Sequence, residues 1–370
     1  MAINYSWSYV DQFLIEELTS ILNEKPRKTG EALVIVGKGW DPRMGCFVSH
    51  LKQNIGKYKK NNRICLIDYK PEKEYKSPQS KFIKKNMDIL DGVSSNWSEI
   101  EKVEIITRNP DNAYVGDRKI IQFVKKLNIN NTSDIFVDIS SLPKSIYFPL
   151  IKTIAGLIIT NKQNQNLFII TCQDSELDRS ITESVDDVRS LASFGGTYQM
   201  EGKIHAEKIW VPLLEKGQSR SVEELYNYLK PGDIYPVLPF PSQHIRCDDD
   251  IKHEYMENFL DVWTLNPLNI IYAAENDPID VYKSIKRLYE ELTEILKPLG
   301  NIALATSPLS SKLSSLGVLM VSTEYEIMVA HAIGRHNPPT EMNEKYWRAD
   351  QFSIFQKQIH GLWLLGDNSI

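Results

Sequence analysis

The chain has 370 residues, 42% of them hydrophobic and 25% charged, with a formal net charge of −5. That length exceeds what one hydrophobic core ordinarily holds and predicts two domains or two fused lobes. The acidic balance argues against a nucleic-acid clamp built from the whole protein, and a mean hydropathy of −0.32 accompanies the lack of any apolar run long enough to span a membrane. In chain order, residues 1–30 are expected to hold an N-terminal amphipathic helix, with Trp7, Val10, Phe13, Leu14, Leu18 and Ile21 at helical spacing. A first series of strands follows at Glu31 to Val36, Ile64 to Ile67, Val103 to Thr107, Asp134 to Ile139 and Leu167 to Thr171. Helical patterns lie between most of them, at Val48 to Tyr58 and Asp117 to Leu127. The run from Ile146 to Ile159 contains Pro149 and Lys152 and reads as a buried helix.

A second series begins after Gly232. It has strands at Tyr235 to Leu238, Asn269 to Ala273, Ile302 to Ala305 and Ile327 to Ala332. Helices are expected at Asp248 to Phe259, at Pro278 to Leu296 and from Leu313. Strands alternating with helices imply mostly parallel sheets covered on both faces. The predicted class is therefore α/β, with two Rossmann-like lobes at 31–175 and 232–336. A connection at 176–231 would join them, and residues 337–370 would pack back as a C-terminal segment.

Three landmarks recur in the same order and suggest a divergent internal duplication. The first-strand turns carry proline and arginine, Gly37-Lys38-Gly39-Trp40-Asp41-Pro42-Arg43 against Pro239 to Arg246. Strand two ends in an acid, Asp68 against Glu275, with Pro71 or Pro278 three residues on. A serine-rich turn with one lysine precedes a helix in both: Ser140-Ser141-Leu142-Pro143-Lys144, and Thr306-Ser307-Pro308-Leu309-Ser310-Ser311-Lys312. On this alignment the first lobe has an insertion near Lys70 to Ser98.

The serine turns are the best candidate sites. Hydroxyls and open N–H groups at a helix start hold an anion well. Capping explains the serines alone. It does not explain Lys144 and Lys312, because the helix dipole disfavours a cation there. Gly37-x-Gly39 supplies two glycines of a dinucleotide fingerprint, with Pro42 in place of the third. Ligands of open α/β sheets bind at the carboxyl edge, which makes Lys38, Asp41 and Arg43 candidates too. Ser140, Ser141, Ser307, Ser310 and Ser311 would donate to phosphate, Arg43 and Arg246 would close over it, and Asp68 and Glu275 would meet sugar hydroxyls.

Other patterns are permissive. Arg246-x6-His253 has RNase-type spacing, but Asp248 as a helix cap is the simpler reading. Asp248, Asp249 and Asp250 beside Cys247, His253 and Glu254 point in too many directions to hold one metal, so no metal is expected. Basic residues from Lys52 to Lys85, interleaved with Tyr58, Tyr69, Tyr75 and Phe82, could touch nucleic acid. Glu72 and Glu74 favour a solvated insertion instead. Four scattered cysteines without a CxxC pair, and a start lacking a secretory pattern, fit a cytoplasmic protein with reduced thiols and no membrane partner.

The segment Asp138-Ile139-Ser140-Ser141-Leu142-Pro143-Lys144 resembles the fourth-strand turn of CARF domains, Rossmann-like sensors of cyclic oligonucleotides in prokaryotic antiviral systems. The paired plan is similar to SAVED domains, which resemble two fused CARF units. The resemblance implies a nucleotide-binding sensor whose effector is a separate partner or another subunit of a defence complex. The residues alone predict a nucleotide or other phosphorylated small ligand held between the lobes. Two alternatives stand beside it: a nucleotide-processing enzyme with Asp41, Asp138 or Glu275 as acid or base, and a non-catalytic scaffold.

Overall fold

The computed structural model describes residues 5, 7, 10–24, 31–58, 62–70, 80–95, 98–161, 164–196, 207–298, 302–334, 336–337 and 344–366. It divides into two compact units, residues 1–182 with 336–370, and residues 183–335. Each is an α/β Rossmann-like lobe with a seven-stranded, mostly parallel sheet.

The first unit opens with β1 (Asp11–Leu14) and α1 (Ile15–Glu24), then runs β2 (Glu31–Gly37), α2 (Cys46–Asn54), β3 (Asn62–Lys70), α3 (Ser80–Ser94) and β4 (Ser98–Ile106). It continues with α4 (Gly116–Val124), β5 (Thr132–Asp138), α5 (Lys144–Thr160), β6 (Asn166–Cys172) and α6 (Ser175–Ser180). The chain next forms β7 (Thr182–Glu183), β8 (Asp187–Ser190), β9 (Glu207–Leu213), α7 (Ser219–Leu229), β10 (Asp233–Ile234), β11 (Val237–Pro239) and α8 (Cys247–Glu254). After these come β12 (Ile271–Ala273), α9 (Pro278–Leu296), β13 (Ile302–Pro308), α10 (Lys312–Glu324) and β14 (Met328–Ile333). β15 (His336–Asn337), α11 (Ala349–Lys357) and β16 (Ile359–Leu365) close the chain.

The first sheet has the order β1-β16-β6-β5-β2-β3-β4. Its five central strands are parallel, and β16 adds antiparallel to β6. The second has the order β12-β11-β9-β13-β14-β8, with β10 also paired to β9 and β8 antiparallel to β14. Counted along the chain, both parallel sets run third-second-first-fourth-fifth, and both carry an antiparallel strand outside the fifth. Each sheet therefore has a switch point between its first and fourth strands, β2 and β5 or β9 and β13, where open α/β sheets bind ligands.

Apolar strands without polar alternation are buried on both faces. One face of the first sheet packs an aromatic series, Phe47–Phe136–Phe168–Trp363, with ring centroids 5.2, 5.2 and 5.5 Å apart. Trp210 of β9 is fully buried and anchors the second core, edge-on to Trp263 at 5.6 Å.

Several boundaries differ from the sequence reading. The N-terminal helix begins only at Ile15, because Asp11–Leu14 pair with β16 as an edge strand. Residues 176–231 are more than a connection: they supply β8, α7 and β9, the central strand of the second sheet. Pro212 hid that strand, since a proline argues against a central position, yet it stands opposite Ser307 near the strand's end. Tyr235 to Leu238 is accordingly the region of the second strand, and Asn269 to Ala273 that of the third. Only the serine turns keep equivalent places in the two lobes. Arg43 follows a first strand whereas Arg246 follows a second, and Asp68 ends a second whereas Glu275 follows a third.

The expected insertion at Lys70 to Ser98 contains α3, an ordinary crossover helix burying Phe82, Asn86 and Leu90; Pro71, Glu72, Glu74 and Tyr75 lie outside the described residues. The C-terminal segment ends in a strand, β16, after its helix.

Helix α10 crosses α9 closely at Gly317, where a Cβ would stand 2.5 Å from Pro278 O and 2.7 Å from Val281 Cβ. Gly317→Ala should gain about 1 kcal/mol of helix propensity but lose about 1–3 kcal/mol to overpacking against backbone. The expected result is a lower urea midpoint at unchanged slope.

Candidate functional site

At the carboxyl edge of the first sheet, the turns after β2 and β5 lie against each other. A Cβ on Gly37 would come within 2.5 Å of Leu142 Cδ2 and 3.2 Å of Ser141 O, so glycine is required by the neighbouring turn itself. Leu142, 1% exposed, packs directly against Gly37. Ser141 Oγ donates to Gly37 O at 2.6 Å, and Tyr69 Oη from β3 donates to Ser141 O at 2.8 Å. Burial pushes the Tyr69 phenol well above its ordinary range, with Asp41 next in effect, so it stays protonated and remains a donor.

Lys38 forms an ion pair with Asp68 at 2.5 Å, both side chains partly exposed. This brings two predicted ligand contacts together as partners. Arg43, by contrast, is 2% exposed. Its Nε and Nη2 bond Asp41 Oδ1 and Oδ2 at 2.9 and 2.7 Å, a bidentate fork. Its Nη1 reaches Asp178 at 2.8 Å and Cys172 O at 3.3 Å. Burial alone would lower its pKa, but Asp41 and Asp178 outweigh that and raise it. Arg43 and Asp41 thus tie the first-strand turn to the end of β6 and to α6. Asn86 of α3 supports the same turn by donating to Gly39 O and Asp41 O, both at 2.8 Å.

The serines of the first turn do not cap α5. Its N-cap is Pro143, with no side-chain cap. Ser140 Oγ instead accepts from Cys172 N at 2.9 Å, while Asp138 Oδ1 accepts from Ser140 N at 3.0 Å. Lys144 is the first residue of α5, half-buried, beside Ser145, whose Oγ accepts from Tyr114 Oη at 2.7 Å. Tyr114 was missed in the sequence, and Tyr69 was noted only among the aromatics of the basic stretch; nothing in their spacing marks them, because Tyr69 reaches the edge from β3 and Tyr114 from the loop between β4 and α4 only once the sheet forms.

In the second lobe, Ser311 caps α10, accepting from Ser314 N at 3.2 Å, and Lys312 follows as the first helical residue. Ser315 Oγ donates to Ser310 O and Ser311 O. Ser307, fully buried, accepts from Trp210 Nε1 at 3.0 Å. Glu275 accepts from Gln243 N at 2.7 Å, closing the second-strand turn on the third. Arg246 is exposed at the start of α8. The first-strand turn is filled by an acid of the lobe's own: Glu254 of α8 accepts from Gly217 N at 2.9 Å and Ser219 Oγ at 2.6 Å, just before and within the first turn of α7. The neighbouring acids are also engaged, Asp248 with Lys252 at 3.0 Å and Asp250 with Lys216 at 3.1 Å.

Arg43→Ala should destabilise the chain by about 3–5 kcal/mol, since it strands a buried carboxylate; chemical denaturation checks this. Cys46, Cys65 and Cys172 are buried and Cys247 is partly exposed. Burial raises the pKa of all four. A thiol reagent at pH 8 should label Cys247 alone and slowly in the native chain, faster at higher pH, and all four in denaturant.

No family model matches the chain, and no curated protein matches it. Among solved structures, the deacetylase of teicoplanin biosynthesis in complex with bog is 12% identical with a TM-score of 0.25, covering 43% of this chain and 77% of that one. The same enzyme in complex with teicoplanin is 11% identical with a TM-score of 0.24, covering 43% and 80%. At that level of likeness nothing follows for this chain's chemistry.

Proposed function

We propose that the chain binds a nucleotide or another small phosphorylated ligand at the carboxyl edge of its Rossmann-like sheets, as a sensor-like protein. One observation carries this reading. In both lobes the fourth strand, at the switch point, leads through a serine-bearing turn to a lysine that is the first residue of the next helix, Lys144 or Lys312. The dipole makes that position unfavourable for a cation, and a phosphate bound there offsets the cost while using the helix's first N–H groups. In the first lobe, Lys38 and Asp68 flank the same edge and suit a phosphate and a sugar hydroxyl. The resemblance of Asp138–Lys144 to the CARF turn, with the SAVED-like pairing of lobes, extends the proposal to a sensor subunit of prokaryotic antiviral defence acting on a separate effector.

A specific observation favours a second reading, a scaffold without ligand. Arg43, Ser140, Ser141 and Ser307, all assigned to ligand in the sequence, are bonded within the protein. The enzyme reading draws less support, because Asp41 is held by Arg43 and Glu275 by a backbone N–H.

Denaturing the purified chain and weighing any released small molecule, together with a thermal-shift screen of nucleotides, separates these readings. A ligand at 100 times its dissociation constant should add about 2.7 kcal/mol of stability. Lys144→Ala and Lys312→Ala, separately, should each remove the part of the shift belonging to their own lobe. A screen with no shift, and none altered by either variant, would leave the scaffold.

A further inference from the structure

Large apolar side chains exposed singly are ordinary, and a group of them marks an interaction site. In the second lobe several gather at one edge. β12 is the outermost strand of the second sheet, with no strand on its far side among the described residues. The ring of its Tyr272 meets that of Phe240, from the turn after β11, at 5.9 Å, and Lys252 of α8 lies over the Tyr272 ring at 5.3 Å. Both aromatic rings are exposed. Beyond α8 the helical path widens into a π-turn at Asn258–Val262, closed by Trp263 N donating to Asn258 O at 2.8 Å.

That turn decides which side chains face out. At 3.6 residues per turn an α-helix drifts by about 40° for every four residues, and the longer π-turn cancels part of the drift. Tyr255, Phe259 and Trp263 therefore all stay in the core. Met256 and Leu260, one place after the first two, stay together outside, and Leu260 is 63% exposed. They follow Lys252 at spacings of four and eight, so the apolar strip runs on from Phe240 and Tyr272 along the helix. Leu268, 90% exposed, stands in the turn that leads into β12.

The rim of the strip is acidic. Residues 246–261 contain six acids, against Arg246 and Lys252. Lys252 is already engaged by Asp248 and Asp249, at 3.0 and 3.9 Å. Glu257 and Asp261 are exposed, each one place after an apolar residue of the strip, and no ion pair reaches them among the described residues. A second copy would set one acidic rim against another, and the negative surface of a membrane would be repelled. A cationic partner gains from the same field. We propose that this face docks a basic amphipathic segment of a partner protein. Its apolar side chains would cover Phe240, Met256, Leu260 and Tyr272, and its lysines or arginines would meet Glu257 and Asp261. The proposal stands apart from the nucleotide reading and gives such a sensor a surface for a separate effector.

The test measures, by fluorescence anisotropy, binding of the full chain to a labelled amphipathic helical peptide with leucine on one face and lysine on the other. Its counterpart has glutamate in place of lysine. The lysine peptide should bind at least about tenfold more tightly than the glutamate peptide. Met256→Ser combined with Leu260→Ser should weaken it about tenfold, and Glu257→Lys combined with Asp261→Lys about fivefold, with a shallower salt dependence. Ile354→Ser, at an exposed apolar residue of α11, should stay within twofold of wild type. All these sites are exposed, so thermal midpoints should match wild type; Leu268→Ser, on a separate turn, replaces the first pair if that variant unfolds. Equal binding of the two peptides, binding unchanged by both double variants, or no binding of either peptide overturns the proposal. A dimer in sedimentation that Leu260→Ser dissociates overturns it in favour of a second copy. Binding to phosphatidylserine vesicles that Met256→Ser with Leu260→Ser abolishes overturns it in favour of lipid.

Discussion

The first lobe depends on one buried cation. Removing a guanidinium from water costs several kcal/mol unless its hydrogen bonds are replaced, and Arg43 finds replacements in Asp41, Asp178 and Cys172 O. These partners come from the first-strand turn, the helix after the fifth strand and the end of β6 itself. The same requirement that keeps Arg43 buried therefore fixes the path of the turn after β2. Asn86 secures that path from the other side by holding two of its carbonyls, and its own carbonyl accepts from Trp347 Nε1 at 2.7 Å. A ligand at the carboxyl edge would meet a turn already rigid, which reduces the ordering cost of binding.

The second lobe solves the same joint without a buried charge. In each lobe a hydroxyl from the end of the fourth strand or its turn bonds the first strand: Ser141 to Gly37 O, and Ser307 to the Trp210 indole. The switch point is where the strand order reverses, so neighbouring turns diverge there and leave a crevice. A hydrogen bond across it sets the crevice's width. Serine suits the joint because it is short and both donates and accepts.

Much of the architecture was legible because β-branched runs between helical patterns leave little choice of fold. α9 begins and ends where its proline, acidic cap and apolar spacing place it. What escaped was decided by partners distant in sequence. Asp11–Leu14 look helical until β16 offers an edge, and β9 looks broken until Pro212 is seen near its end. At the site, the sequence assigned Ser140, Ser141 and Ser307 to a phosphate, whereas each is bonded within the protein; local spacing cannot say whether a hydroxyl caps its own helix, meets a ligand or crosses to another strand. Lys38 and Asp68 were each identified, yet their pairing needs the parallel register of β2 with β3.

The two lobes, alike in topology, are unlike in charge at their first turns. In the second, the start of α7 is taken by Glu254, whose carboxylate already holds a backbone N–H and a serine hydroxyl. An anion arriving there must displace a carboxylate and meet its like charge, which disfavours the exchange. In the first, the corresponding turn presents Lys38, partly exposed and paired with an equally accessible Asp68. A phosphate recruiting that lysine would compete with Asp68 for a half-buried ion pair. Shared strand order therefore does not make the lobes interchangeable: at the first-strand turns one presents a partly exposed lysine and the other a carboxylate of its own.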